Sequence, residues 1–339
     1  MSSSGSERPG AATPKRPGPD DLHAAEQWLS RNGLPYFVDD TRDHVLRGLQ
    51  GSRLLPVAVL ALVLAVVAGV AATQWTGLTS VGISTGLQVA VAVAVVYGLV
   101  RLRAVAIAGW ALRHTFASLS MLVPLATRAL PLLLIFITFL FINTEVWMVA
   151  ESLDGGVMWL TVLLFGAVIT AFLLSRLPEE VGGLDDGLDG SRVSSSCAGT
   201  PMAAWVGLDE RSGIDEPLTR LERSNLVLVL LISQVVQVLL LSLSVFGFFV
   251  VFGAVIMDSE VITAWIGHAP TQILGTVITR ELLQVAVFLA SFSGLYFTVY
   301  AVTDETYRSQ FFTAITAELE RAVSAREVYR AMRRSRHAS

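Results

Sequence analysis

Six long apolar blocks interrupt an otherwise polar chain, at 54–73, 83–100, 130–150, 157–175, 225–257 and 276–303. A bilayer core is about 30 Å thick and a helix rises about 1.5 Å per residue, so each block predicts a helix able to cross it. The fifth block exceeds the roughly 20 residues a span requires; it must tilt or project, and its start is expected after Pro217. The stretch 101–128 is moderately apolar but is broken by Arg103, Arg113, His114 and Pro124. It predicts an interfacial or cytoplasmic helical elbow and not a seventh span.

Polar positions dominate outside these blocks. Residues 1–20, MSSSGSERPGAATPKRPGPD, are rich in Ser, Gly and Pro and lack an apolar run, which predicts a disordered tail and no signal peptide. In the small helical segment 21–53, Asp20 or Asp21 is placed to N-cap a helix carrying Leu22, Ala25, Trp28 and Leu29. Gly33 ends it, and a second short helix is expected near 41–50. The block 54–175 holds four spans with the elbow inside it, and 225–303 holds the last two. Between them, 176–224 contains EEVGGLDDGLDGSRVSSSCAG, acidic and without hydrophobic periodicity, as expected of a flexible cytoplasmic linker. In 304–339, Phe312, Ile315, Leu319 and Val323 form an apolar stripe behind the acidic pair Asp304 and Glu305. The segment ends in Arg326, Arg330, Arg333, Arg334 and Arg336. That is an amphipathic helix suited to lie on anionic lipid, to pack on the bundle, or to pair with the acidic linker.

Composition sharpens this picture. Of 339 residues 53% are hydrophobic and 15% charged, with mean hydropathy +0.62, more apolar material than one soluble core buries, which argues against a soluble globular enzyme. A net charge of -4 gives no basis for a nucleic-acid partner, and the one cysteine, Cys197, cannot form an intramolecular disulfide. Placing both termini in the cytoplasm of an inner membrane puts 23 of the 24 Lys+Arg residues on that side, with Arg280 the exception. Trp75, Trp147, Trp159 and Trp265 then fall near the outer interface and Tyr97 and Tyr300 near the inner one. The expected fold is an all-α polytopic membrane helix bundle of about six transmembrane helices, with cytoplasmic N- and C-termini and an amphipathic C-terminal helix.

Small residues recur in the first two spans: Ala58, Ala61, Ala65, Ala68 and Ala72 in one, Gly86, Ala90, Ala94 and Gly98 in the other. They predict a tight first hairpin. Polar positions within spans carry the candidate chemistry. The third span ends with Asn143, Thr144 and Glu145 about two turns or less beneath the outer boundary, and a carboxylate there must be paired, hydrated or protonated. Gln234, Gln237 and Ser244 share a face of the fifth span; Glu281, Gln284, Ser291 and Thr298 share one of the sixth. Glu145 and Glu281, with Asn143, Gln234, Gln237, Arg280, Gln284 and Ser291, are therefore candidate members of a pathway for protons or small cations. The plainer alternatives are interhelical hydrogen bonding, and for Glu145 a position in the outer headgroup region or a pairing with Arg280.

No enzyme is expected. Gly82-Ile83-Ser84-Thr85-Gly86 matches G-x-S-x-G but opens a membrane helix, an intramembrane serine protease would need a histidine inside a later span, and His268 lies in a loop. There is no H-E-x-x-H, P-loop, dinucleotide fingerprint or zinc-spaced Cys/His cluster, so no cofactor or metal is expected. The expected partners are the lipid bilayer, a second copy or another membrane protein, and anionic lipid at the C-terminal helix.

The runs PLLLIFITFLFINTEVW (131–147) and SGLYFTVYAVTDETYRSQFF (293–312) resemble uncharacterised multi-pass membrane proteins of actinobacteria, and 23 Arg against one Lys, Lys15, is compatible with a GC-rich genome. The resemblance implies no activity and carries over no functional residue. Two roles remain open on the sequence: a transporter or channel component, and a non-catalytic membrane scaffold or signalling component acting through its cytoplasmic segments.

Overall fold

The structure is a computed structural model that describes residues 17–48, 51–101, 104–117, 133–153, 156–182, 190–207, 218–273, 275–303 and 305–337. The expected tail up to residue 16, the elbow beyond 117 and the acidic run 183–189 lie outside them. The fold is an all-α polytopic bundle. Among the described residues five helices are long and apolar enough to cross a membrane: α3 (Gly51–Thr76), α4 (Thr79–Arg101), α8 (Gly156–Gly182), α10 (Arg220–Ile256) and α12 (Arg280–Thr303). A sixth crossing is made only if the bent pair α6 (Leu133–Phe141) and α7 (Thr144–Ser152) counts as one span. The chain is an integral membrane protein.

The continuous span expected over 130–150 is therefore corrected: α6 and α7 meet at 75°. The break has a local cause. Asn143 leaves the helical conformation, and its Oδ1 accepts from the Glu145 and Val146 backbone N–H groups, starting a new helix. Trp147 then folds back, its Nε1 donating to the Phe141 carbonyl at 2.7 Å, which satisfies a helix-end acceptor. Trp147 is fully buried against Phe141 and Trp265, so it is a core residue and not the interfacial anchor expected of it. Trp75 and Trp159 are exposed.

Helices α10 and α12 occupy the centre, with α8 and α6 against them. Glycines set the closest approaches. A side chain at Gly253 would collide with Leu282 and meet Phe141 at 3.1 Å, and one at Gly294 would meet Ser242 Oγ at 2.5 Å. The hairpin α3–α4 stands beside this centre. Gly69 and Gly86 bring the backbones so near that a Cβ would lie 2.8 Å from the Gly82 carbonyl and 2.9 Å from that of Ala65, the packing that small-residue stripes permit. The remaining surface of α3 is apolar and exposed, through residues such as Leu62 and Val67, as a lipid-facing helix requires.

The two ends of the bundle differ. At the far end, the tips of the helices meet through Gln88 Nε2 donating to the Gly156 carbonyl and Gln284 Nε2 donating to that of Leu153. There α7 packs on the short helix α11 (Ser259–Ile266) and on α12. The other end carries a cap made of α1 (Pro19–Arg31), a 3-10 turn (Pro35–Phe37), α2 (Asp39–Gly48), α9 (Gly190–Ser196) and α13 (Glu305–His337). Gly18, not Asp20 or Asp21, N-caps α1; Asp21 instead accepts from the Gly18 N–H at 2.8 Å, since the carboxylate three residues on reaches back to the cap. Helix α5 (Ala104–Ala117) packs on α10, α4 and α1, which places the first half of the elbow beside this cap.

The expectation of a flexible linker across 176–224 fails for 190–207. Cys197, Met202 and Trp205 are buried in one cluster with Leu319, Val323 and Met332 of α13 and with Leu22, Leu29 and Phe37 of the N-terminal segment. Three apolar side chains spaced without helical period are enough to fix a compact turn when a neighbouring element offers the face they need.

Candidate functional site

The most heavily charged buried cluster described lies where the cap meets the first turn of α10. Thr219 and Glu222 form a capping box: the Thr219 N–H and hydroxyl donate to Glu222 Oε2 at 2.9 and 2.8 Å, and Thr219 Oγ1 accepts from the Glu222 N–H at 3.3 Å. The carboxylate is entirely buried, and cations from two other segments converge on it. Arg326 Nη2 stands 3.2 Å from one oxygen, Arg330 Nη2 2.9 Å from the other, and Arg42 Nη1 3.7 Å away. Arg326 also pairs with Glu327, and Asp39 joins Arg42 to Arg333. Taking such charges out of water costs several kcal/mol per ion, so the cluster holds only because each charge meets opposite charge or hydrogen bonds.

Further bonds tie the same three segments. Asn225, fully buried one turn along α10, accepts from the Tyr36 N–H at 2.9 Å and donates to the Gly33 carbonyl at 2.8 Å. Gly33 is required there, since its φ of +77° is left-handed and a side chain would press on Trp110 at 3.3 Å. The Tyr329 hydroxyl donates to Glu26 at 2.9 Å, and Arg321 lies 5.6 Å above the Trp28 ring. Burial pushes the Tyr36 hydroxyl up to about 12 and, against the opposing charge of Arg321, the Cys197 thiol up to about 11. Tyr329 is raised as well, by burial first and then by Glu26. These groups stay neutral and serve packing.

The candidates drawn from the sequence do not gather in one place. Asn143 caps α7 and Glu145 is exposed on its first turn. Glu281 is buried and accepts from the Thr271 N–H at 3.0 Å, Arg280 is exposed with its N–H on the Thr271 carbonyl, and Gln284 reaches Leu153 at 3.4 Å. Ser291 donates to the Val287 carbonyl of its own helix. Asn143, Glu281 and Gln284 are thus engaged with turn or helix-start backbone. Gln234 and Gln237 lie elsewhere: nineteen residues separate Gln234 from Gly253, the neighbour of Leu282, or about 28 Å along the helix. Gln234 is 1% exposed, and neither end of its amide has a hydrogen-bond partner.

Glu222, Asn225, Arg42 and the inward turn of Arg326 were not anticipated. One signal for them stood in the sequence, Thr219-x-x-Glu222 ahead of an apolar run, the pattern of a helix start. The basic end of α13 meets Glu222 and Asp39. Ser84 and Gly82, the centre of the G-x-S-x-G match, are packing residues: Ser84 Oγ donates to the Val81 carbonyl and Gly82 sits against α3. Among the described residues no group of three or more His, Cys, Asp or Glu side chains is arranged to hold a metal. No family model, curated protein or solved structure matches the chain.

Proposed function

We propose that this protein is a non-enzymatic membrane scaffold, whose bundle holds a rigid cap at the surface of an inner membrane for another protein to engage. In this reading both termini and the cap are cytoplasmic, as the distribution of Arg favours. The observation that carries it is the Glu222 cluster. It joins residues 39–42, 219–225 and 326–333 through buried charge, a costly arrangement whose effect is to fix the cap on the spans. A scaffold needs that fixed relation; a pore does not.

A second reading, a transporter or channel component for protons or small cations, rests on the unpartnered amide of Gln234 inside a span and on the break at Asn143, since interrupted helices supply binding sites in transporters. The separation of Gln234 from Glu281 weighs against one continuous route.

One experiment separates the two. Proton and monovalent-cation flux is measured in liposomes for wild type, Glu145→Gln and Gln234→Leu at matched incorporation. In parallel, crosslinked partners are recovered from native membranes for wild type and for the chain ended at Thr303. The scaffold reading expects no flux above empty liposomes and partner recovery that the truncation abolishes. Flux in wild type, lost in either substitution, overturns it in favour of transport.

A further inference from the structure

Between the first three turns of α10 and the end of α8 runs a groove of about 580 Å³, within the range of about 300–1,000 Å³ typical of small-molecule sites. Its α10 wall is built by Arg220, Leu221, Arg223, Ser224, Val227, Leu228 and Leu231, a spacing that keeps all seven within one half of the helix surface. The face is sorted by height. The two arginines and the serine stand at the start of the helix and are exposed, Leu221 among them is half-buried, and Val227, Leu228 and Leu231 follow for two turns into the span. Opposite them stand Leu174 and Pro178 of α8, where the apolar length of that helix ends, and Tyr36 and Val45 of the cap close the end. Glu222, the carboxylate between them in sequence, is buried and engaged by Arg326 and Arg330.

We propose that this groove binds one anionic phospholipid of the surrounding leaflet, its phosphate on Arg220 and Arg223 and an acyl chain along Leu174, Val227, Leu228 and Leu231. Three features select that occupant. The cations stand at the level where apolar spans give way to the polar cap, which is where a headgroup lies. The floor is aliphatic along Leu174, Val227, Leu228 and Leu231, as acyl chains require and a soluble anion does not. The cap closes the end away from the membrane, leaving lateral entry from the bilayer. This differs from lipid contact along α13, whose Arg326, Arg330 and Arg333 are turned to Glu222 and Asp39. It depends on the membrane-spanning architecture and is independent of the scaffold reading.

The test titrates the purified full-length protein, in neutral detergent, with phosphatidylglycerol or phosphatidylcholine and counts retained lipid by native mass spectrometry. Wild type is expected to prefer phosphatidylglycerol by about tenfold, in line with two cations near a surface. Arg220→Gln/Arg223→Gln should remove that preference. Leu228→Trp fills the floor without altering charge and should lower retention of both lipids, while Arg113→Gln, an exposed cation on α5, should leave the preference intact. Circular dichroism and size-exclusion profiles qualify each variant; if the double variant does not fold, Leu228→Trp and Arg220→Gln alone decide the matter. Equal retention of the two lipids by wild type, or a preference that survives both Arg220→Gln and Leu228→Trp, overturns the proposal. A preference abolished by inorganic phosphate alone overturns it too, assigning the cations to a free anion.

Discussion

Glu222 shows how much one side chain can organise. Its carboxylate is inaccessible to solvent, and removing one partner of a buried pair leaves the rest uncompensated at a cost of about 3–5 kcal/mol. Glu222→Gln is expected to destabilise the protein by roughly that amount, read from unfolding midpoints in detergent, because Arg326 and Arg330 then face a neutral amide. Glu222→Leu combined with Arg326→Leu should cost less than the two single changes together, since no buried charge of that pair is stranded. Cys197 behaves oppositely: buried, with its thiol near 11, it should resist alkylating reagents at pH 8 until the cap unfolds, and rapid labelling of native protein would contradict its placement. At the far end His268 is raised above its ordinary range by the Ala269 carbonyl first and by Glu151, 3.1 Å away. A raised histidine contributes stability that is complete below about pH 6.5 and lost as pH rises through its folded value. Protease cleavage within 257–279 should therefore increase from mildly acidic to neutral pH, and Glu151→Gln should weaken that dependence.

Elements were legible where their cause is local. Apolar blocks of bilayer length gave the spans, and the long fifth block begins at Arg220, just beyond Pro217 as expected, because a capping box opens it. The break at Asn143 was missed because hydrophobicity continues from Phe141 past Val146, and a count of apolar residues does not register a capping side chain. The Glu222 cluster was illegible for another reason. Its partners lie 104 and 108 residues apart in sequence, and no periodicity encodes which distant arginine turns inward. The candidate site fared similarly: the far-end carboxamides and carboxylate are real polar positions in the spans, but their bonds to Leu153 and Thr271 depend on turns that the sequence does not order. The first hairpin offers a test at this scale. At Gly69 and Gly86 the neighbouring atoms are backbone carbonyls, which yield only if the helices separate. Gly86→Leu should destabilise by about 1–3 kcal/mol, the usual range for overpacking. Gly98→Leu, which meets open space, should leave the unfolding midpoint in detergent unchanged.

In the whole molecule, the two termini are held by different means at one end. The N-terminal segment hangs from Asn225 and Glu222 on α10, and α13 lies over it, burying Val323, Val328 and Met332 against Leu22, Leu29 and Phe37. Helix α13 thus supplies both the apolar cover and the cations that make the Glu222 carboxylate tolerable. Ending the chain at Thr303 removes both at once. Arg42 alone, at 3.7 Å, is left to face the carboxylate, and the apolar face of α1 is opened to water. Cooperative units lose protection together when their shared contacts go. Amide exchange should therefore rise across 19–48 and 190–207 while α3, α4 and the Phe141–Trp147 corner keep their protection, because they touch other elements. Arg326→Leu with Arg330→Leu retains the apolar cover and should raise exchange in 39–48 more than in 190–207, which Cys197, Met202 and Trp205 still hold on α13. Uniform loss of protection over the whole chain would mean that cap and spans form one unit; unchanged protection in 19–48 would mean that Asn225 alone suffices to hold the N-terminal segment, and that α13 is cover and not clamp.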